Sequence, residues 1–347
     1  MSTETDCVIV GAGPCGLFQV FELGLLGIHA NVVDSLPYTG GQCTHLYPDK
    51  PIYDIPALPV CGAQELVERL EKQIAPFSPT YHLGQEVVQC APMDDGRFHV
   101  VTSKGTEFHA RTVIIAGGVG SFQPRPLRVE GAERYAGDTI NYAVRNRDRY
   151  AGKRLIILGG GDSALDWTLD LVDVADHLTL VHRREGFRAA PASVNHMKEL
   201  VEQGRMDLVT GKTTAMVERE GRLAGLEVKD AHGDMHTVEG DEVLVFYGLS
   251  PNLGPIKEWG LKLNKNQIVV DTAMFQTSVP GIFAVGDVNF YPGKKKLILS
   301  GFHEAALAAF AVQHFIDPEK KQFLQYTTTS PAMHERLGVD GSSVGKH

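Results

Sequence analysis

A chain of 347 residues has room for two domains, because single hydrophobic cores stop growing near ~250–300 residues. Its formal net charge of −9, from 33 basic and 42 acidic side chains, argues against a nucleic-acid partner, whose phosphates call for a basic surface. The five cysteines, Cys7, Cys15, Cys43, Cys61 and Cys90, stand far apart without a CxxC pair or a zinc-ligand spacing, as expected of reduced thiols in a cytoplasm.

Residues 1–6 are polar and acidic, without the basic start and apolar run of a secretory leader. Residues 6–10 form an apolar strand that runs into Gly11-Ala12-Gly13-Pro14-Cys15-Gly16. Helical spacing follows through Leu17, Val20, Phe21 and Leu25, and a second strand, residues 30–33, ends at Asp34. Strands at 98–102 and 112–116 extend this first domain. The Gly- and Pro-rich stretch 117–126 reads as a crossing into a second domain. There the same grammar returns: a strand at 154–158, the turn Gly159-Gly160-Gly161-Asp162-Ser163-Ala164, helical spacing through Leu165, Leu169 and Val172, and a strand at 178–181 ending in His182-Arg183-Arg184. Gly11 stands as far from Asp34 as Gly159 does from His182. Strands at 226–229 and 242–246 complete the second domain, and residues 247–255 cross back. Gly281-Ile282-Phe283-Ala284-Val285-Gly286-Asp287 is then a strand halted at Gly-Asp, with a helix pattern from about 301 to 315. The apolar runs 113–116 and 307–312 fall short of the ~20 residues that span a bilayer.

Two βαβ units of matching length predict two dinucleotide sites. The expected fold class is α/β, with two Rossmann-like three-layer dinucleotide-binding domains, the second inserted into the first. Residues 1–120 and 250–347 form the discontinuous first domain with a C-terminal extension, and residues 121–249 form the second. The two crossings are expected to act as hinges.

In the first loop Gly11 permits the tight turn, Gly13 lets the backbone approach a pyrophosphate, and Gly16 lets the helix opened by Pro14 pack closely on the strand. Asp34 stands where a carboxylate accepts from a free ribose diol and repels a 2′-phosphate, so this site suits FAD or NAD(H). The second loop offers Gly159, Gly161, Asp162, Ser163 and Ala164 to a pyrophosphate. Where an acid would stand it has His182, followed by Arg183, Arg184 and Arg188. Guanidinium groups bind phosphate in a forked, charge-assisted geometry, which favours NADPH over NADH. The Gly286-Asp287 pair is either a common turn or a binder of ribityl hydroxyls, with the following helix directing its positive end at a flavin ring.

These three motifs, in this order and spacing, resemble the thioredoxin-reductase branch of two-dinucleotide-domain flavoproteins along nearly the whole chain. Within that branch the chain is similar to the thioredoxin-reductase-like ferredoxin–NADP+ reductases. The resemblance is carried by Gly40-Gly41-Gln42, Leu46-Tyr47-Pro48-Asp49-Lys50, Ile52-Tyr53-Asp54-Ile55-Pro56, the second glycine loop through Trp167, residues 250–255, and Tyr291-Pro292-Gly293-Lys294. It implies FAD in the first domain and NADPH in the second, with Asp34, Gln42, Tyr47, Val87, Phe122, Asp287 and Thr328 contacting FAD. Tyr47 is then either a buried loop aromatic or a ring against one flavin face. The C-terminal extension, with Tyr326 at the family's aromatic position, is expected to cover the other face. Family members are homodimers, so the cover comes from the same subunit or its partner.

Thioredoxin reductases of this branch carry a CxxC pair just before the second glycine loop, where this chain reads Thr139-Ile140-Asn141-Tyr142-Ala143-Val144-Arg145. Thiol–disulfide exchange needs a thiolate and a resolving partner, so electrons are expected to leave from the flavin edge to ferredoxin or a flavodoxin. Cys15 and Cys43 read as small packing residues. Hydride transfer depends on stacking geometry, and no general base or metal ligand is expected. Lys294-Lys295-Lys296 and the set Arg145, Arg147 and Arg149 are either docking patches for an acidic partner or solvated surface. Three other readings share some of these features: an NADPH-dependent flavin reductase acting on quinones or other small acceptors, a flavin monooxygenase, and a non-enzymatic flavin-binding sensor.

Overall fold

The computed structural model describes residues 2–48, 50–120, 123–250, 252–320 and 326–339. The chain divides into one unit of Met1–Ser121 with Pro251–His347 and another of Phe122–Ser250. Among the described residues there are seven α-helices: α1 (Pro14–Leu25), α2 (Gln42–Leu46), α3 (Ala63–Ile74), α4 (Asp162–Leu171), α5 (Pro191–Glu202), α6 (Ile298–Ile316) and α7 (Pro331–Leu337).

In the first unit the strands run in the order Thr80–Leu83, Ala30–Asp34, Thr3–Val10, Glu107–Ile115, Phe98–Thr102 and Val87–Pro92, with Ile282–Ala284 also paired to Glu107–Ile115. The first four and Ile282–Ala284 are mutually parallel, and the remaining pairings are antiparallel. Cys7 stands opposite both Ala30 and Thr112, and Ile282 opposite Val113. Residues 7–9 and 113–115 are wholly buried, which is why they read as unbroken apolar runs and not as alternating strands. Helix α1 packs on both α3 and α6. Its Leu17, Val20 and Leu23 enter the same core as Leu66, Leu70, Ala308 and Val312.

The second unit has a five-stranded parallel sheet in the order Ile140–Asn141, Glu242–Phe246, Arg154–Gly159, His177–His182 and Asp207–Thr210. An antiparallel sheet of Lys212–Arg219, Arg222–Lys229 and Met235–Glu239 lies in the same unit. Successive side chains of a strand face opposite ways, and the cores follow that rule. Leu155 and Ile157 join Leu165, Met197 and Leu200 of α4 and α5, whereas Ile156 and Leu158 join Leu226 and Val228 of the antiparallel sheet. Helices, parallel sheet and antiparallel sheet thus make three layers.

Candidate functional site

The turn after Thr3–Val10 is built by contacts that leave no room for side chains. Gly11 has φ +115°, and a methyl group there would come within 2.5 Å of Ala116 O; one at Gly16 would collide with Gly11 O. Gly13 precedes Pro14 at the start of α1, and no side chain caps the helix. The positive end of the α1 dipole therefore faces outward from this loop.

Asp34 does more here than its place at a strand end suggests. Its Oδ2 accepts from Ala12 N at 2.6 Å and its Oδ1 from Leu36 N at 2.8 Å. Burial pushes its pKa up, and the two backbone N–H groups pull it back. Each carboxylate oxygen keeps a lone pair beyond these bonds. The turn is braced from a third side: Gly40 N donates to Ala12 O at 2.8 Å, and Gly41 packs on Gly13. The Gln42 amide reaches Gly118, where an added methyl would stand 3.5 Å from its Nε2. The hydroxyl of Thr44, two residues on in α2, is buried and lacks a hydrogen-bond partner among the described residues. An open loop at a bare helix start, flanked by a braced carboxylate and an orphaned buried hydroxyl, fits a pyrophosphate-bearing group with free ribose hydroxyls.

Tertiary folding brings the Gly286-Asp287 corner to this loop. Cys15, in the first turn of α1, fills the space over Gly286 and Gly301, so that a methyl group at Gly286 would lie 3.1 Å from its Sγ. Asp287 lies in the short 3-10 turn Gly286–Val288. Burial raises its pKa, Lys294 and Lys296 oppose that rise, and Glu304 adds to it. Tyr47 is close enough to feel both Cys43, its hydrogen-bond partner, and Asp287; burial drives its phenol above the ordinary range. Burial also pushes the Cys15 and Cys43 thiols up, to about 12 and about 11. Both thiols are protonated at neutral pH and are poor nucleophiles.

The second unit repeats the bare helix start. Gly161 precedes α4 without a side-chain cap, and a methyl group at Gly159 would lie 2.7 Å from both Ala164 Cβ and Phe246 O. The basic segment is stapled to this loop. Arg188 N donates to Gly160 O at 2.7 Å, and Ala190 N donates to Asp162 Oδ1 at 2.9 Å. His182 lies over Gly160, packs its ring at a tilt against Phe187 with centroids 4.8 Å apart, and pairs its Nε2 with Gly186 O at 3.1 Å. Burial lowers its pKa, with Arg184 and Arg183 adding to the effect. Ser163, Arg183, Arg184 and Arg188 are exposed. Among the described residues no carboxylate pairs with these three guanidinium groups, whereas Arg154 is paired with Glu239 and Asp241. An unpaired set of guanidinium groups beside a bare helix start fits a phosphorylated ribose.

The remaining residues expected from the sequence are dispersed. Val87 is buried in the first core. Phe122 lies outside the described residues. Tyr326 is 64% exposed, and Thr328 is exposed beside it. The helix that follows them, α7, packs on α1, where Arg336 donates to Leu25 O. That is the far end of a 12-residue helix from Gly13, roughly 18 Å along its axis.

The lysine run needs correction. Lys294 is not solvated surface, because its side chain is 4% exposed and paired with the wholly buried Glu304. Only Lys295 and Lys296 of that run are exposed. Arg147 and Arg149 are likewise paired, with Asp170 and Glu242. Sequence reasoning also missed Glu304. A lone acid in an Ala-rich amphipathic stretch was the available signal.

A family model described as pyridine nucleotide-disulphide oxidoreductase matches residues 5–313. The chain is 60% identical over 337 residues to a protein of Cupriavidus necator named Ferredoxin–NADP reductase 2, covering 97% of this chain and 91% of the relative. It is 60% identical over 341 residues to one of Methylibium petroleiphilum named Ferredoxin–NADP reductase, covering 97% and 93%. Among solved structures it is similar to T. acidophilum thioredoxin reductase, with a TM-score of 0.77 and 25% identity over 92% of this chain and 100% of that one. A bacillithiol disulfide reductase of Staphylococcus aureus shares the fold, with a TM-score of 0.77 at 18% identity over 92% of this chain and 100% of that one.

Proposed function

The chain belongs to the pyridine nucleotide-disulphide oxidoreductase family, and from that premise we propose that it is an FAD-dependent oxidoreductase passing electrons between NADPH and ferredoxin or flavodoxin. The observation that carries this reading is the opposite chemistry of its two glycine loops. One is braced by the Asp34 carboxylate; the other is stapled to a segment bearing Arg183, Arg184 and Arg188, with which no carboxylate among the described residues pairs.

FAD, when bound, supplies the conversion between a two-electron hydride and single electrons. In the first unit Gly11, Gly13 and Gly16 would leave backbone room for its pyrophosphate at the start of α1, and Asp34 would accept from its ribose hydroxyls. Asp287 would accept from its ribityl hydroxyls, and Tyr47 would offer its ring to the flavin. Gln42 and Val87 would make further contacts, and Phe122, the remaining position that the family resemblance implies, lies outside the described residues. In the second unit Gly159, Gly161, Asp162, Ser163 and Ala164 would receive the NADPH pyrophosphate, while His182, Arg183, Arg184 and Arg188 would hold its 2′-phosphate. The Cys15 and Cys43 thiols, held protonated by burial, take no part, and the electrons leave directly to the acceptor.

We place the protein in the cytoplasm as a homodimer. The five cysteines are unpaired, in keeping with a reducing compartment, and no helix among the described residues is long and apolar enough to cross a membrane. The exposed Tyr326 and Thr328, carried by a segment anchored at the far end of α1, suit a cover for the partner subunit's flavin better than for their own. The test is to purify the yellow protein and follow NADPH oxidation with ferredoxin, flavodoxin and a small quinone. Turnover with the quinone and none with either protein acceptor would replace this reading with that of a small-acceptor flavin reductase.

A further inference from the structure

Helix α6 is rich in alanine and carries one carboxylate, Glu304, that no solvent reaches. Burying an ionised carboxylate is costly unless its lone pairs and its charge are both met. Four donors meet these. Oε2 accepts from Gly286 N at 2.7 Å and from Asn289 Nδ2 at 2.8 Å. Oε1 accepts from Tyr291 OH at 2.9 Å and from the Lys294 ammonium. Asn289 Nδ2 also donates to Ala284 O at 3.0 Å, and the Lys294 ammonium lies 5.4 Å from the Tyr291 ring centroid. The segment 286–294 is thereby wrapped around one side chain of α6.

Asp287 is the residue this segment presents. It follows directly the one backbone N–H that Glu304 holds, and it shares its surroundings with Glu304 and Lys294. Burial and the charge of Glu304 both disfavour an ionised Asp287, and the Lys294 ammonium, bonded to Glu304, opposes them. We propose that Glu304 and Lys294 are positioning residues for FAD: Glu304 fixes the turn at Gly286 that presents Asp287, and Lys294, held by Glu304, supplies the positive charge that attends the Asp287 carboxyl. The proposal rests on the reading of Asp287 as the ribityl-binding carboxylate.

The test is FAD uptake by the deflavinated full chain, followed by titration, with the melting temperature of the same apoprotein measured alongside. Lys294→Met is expected to raise the Kd for FAD about tenfold or more, a change equivalent to about 1.4 kcal/mol. Lys72→Met, at an exposed lysine of the same unit, is expected to leave it unchanged. In Lys294→Met/Glu304→Gln no buried charge is left unpaired, so the melting temperature recovers while the FAD affinity stays weak. Recovery of FAD affinity in step with the melting temperature would reduce the pair to a structural role and overturn the proposal. So would parent-like affinity in Lys294→Met. Should that variant not fold, Tyr291→Phe deletes a single donor to Glu304 and is expected to weaken FAD binding about threefold, on the order of one hydrogen bond; an unaltered Kd there overturns the proposal. Binding of 2′,5′-ADP is expected to be unchanged in every variant. A parent protein that takes up no FAD fails at the prior step, overturning the reading of the first unit and the proposal with it.

Discussion

The imidazole of His182 lies on the backbone of Gly160, so close that a methyl group at residue 160 would collide with its ring. The middle glycine of the second loop is therefore required by a side chain from the next strand, not by the turn itself. The same imidazole pairs with Gly186 O and packs at a tilt against Phe187, so its position governs the basic segment that follows. Gly160→Ala is expected to push the ring aside and displace Arg183 and Arg184. The KM for NADPH should rise about tenfold, some 1.4 kcal/mol, with the KM for NADH little changed. Steady-state kinetics with both nucleotides checks this, and a parallel rise for both would place the effect in the loop.

Arg183 and Arg188 are exposed, and no carboxylate among the described residues pairs with them. A charge-assisted hydrogen bond contributes about 1.5–3 kcal/mol. Arg183→Ala/Arg188→Ala is expected to cost on the order of a hundredfold in kcat/KM for NADPH and little for NADH. An unaltered NADPH preference would remove the phosphate-binding role.

Lys295 is exposed while its neighbour Lys294 is buried. Lys295→Glu should lower kcat/KM for ferredoxin a few-fold and flatten its salt dependence, since a rim charge acts mainly on encounter and contributes about 0.5–1 kcal/mol. Dye reduction should not change. Equal loss with both acceptors would rule out a docking role.

Burial raises the pKa of Glu22, in α1, to about 7 from an ordinary 4.5, without an opposing donor or cation. A carboxyl raised in this way favours the fold while protonated. Its contribution is complete below about 4.5 and lost as pH climbs through about 7. Glu22→Gln is neutral throughout, so it should exceed the parent in stability by about 2–3 kcal/mol near pH 8 and match it near pH 4. Urea unfolding at the two pH values decides the matter; a constant offset would mean that Glu22 does not titrate in the fold.

Cys15 fills the space between α1, Gly286 and Gly301 with a protonated thiol. Cys15→Ala should retain turnover with ferredoxin at a stability cost of about 1 kcal/mol for the lost packing. Thiol alkylation should likewise spare activity. Loss of turnover in a folded Cys15→Ala protein would reopen a thiol route.

Both glycine loops, the strand ends at Asp34 and His182, and the Gly286-Asp287 corner were legible in the amino-acid order. Each carries a local mark in the chain: the positive φ of Gly11, the close approach of Gly16 to Gly11 and of Gly159 to Ala164, and a helix starting just beyond. The pairing of charges was not legible. Three consecutive lysines look alike on paper, yet Lys294 is drawn inward by a carboxylate on α6, and Lys295 is left in water. Arg147 and Arg149 looked like free cations until Asp170 and Glu242 were brought beside them, and the second duty of Asp34, bracing Ala12 and Leu36, became visible only once the loop had folded over it. Backbone conformation is set by neighbours along the chain, and so it can be read in order. Whether a charge is solvated, paired or buried depends on segments far apart in sequence that meet only when the core closes.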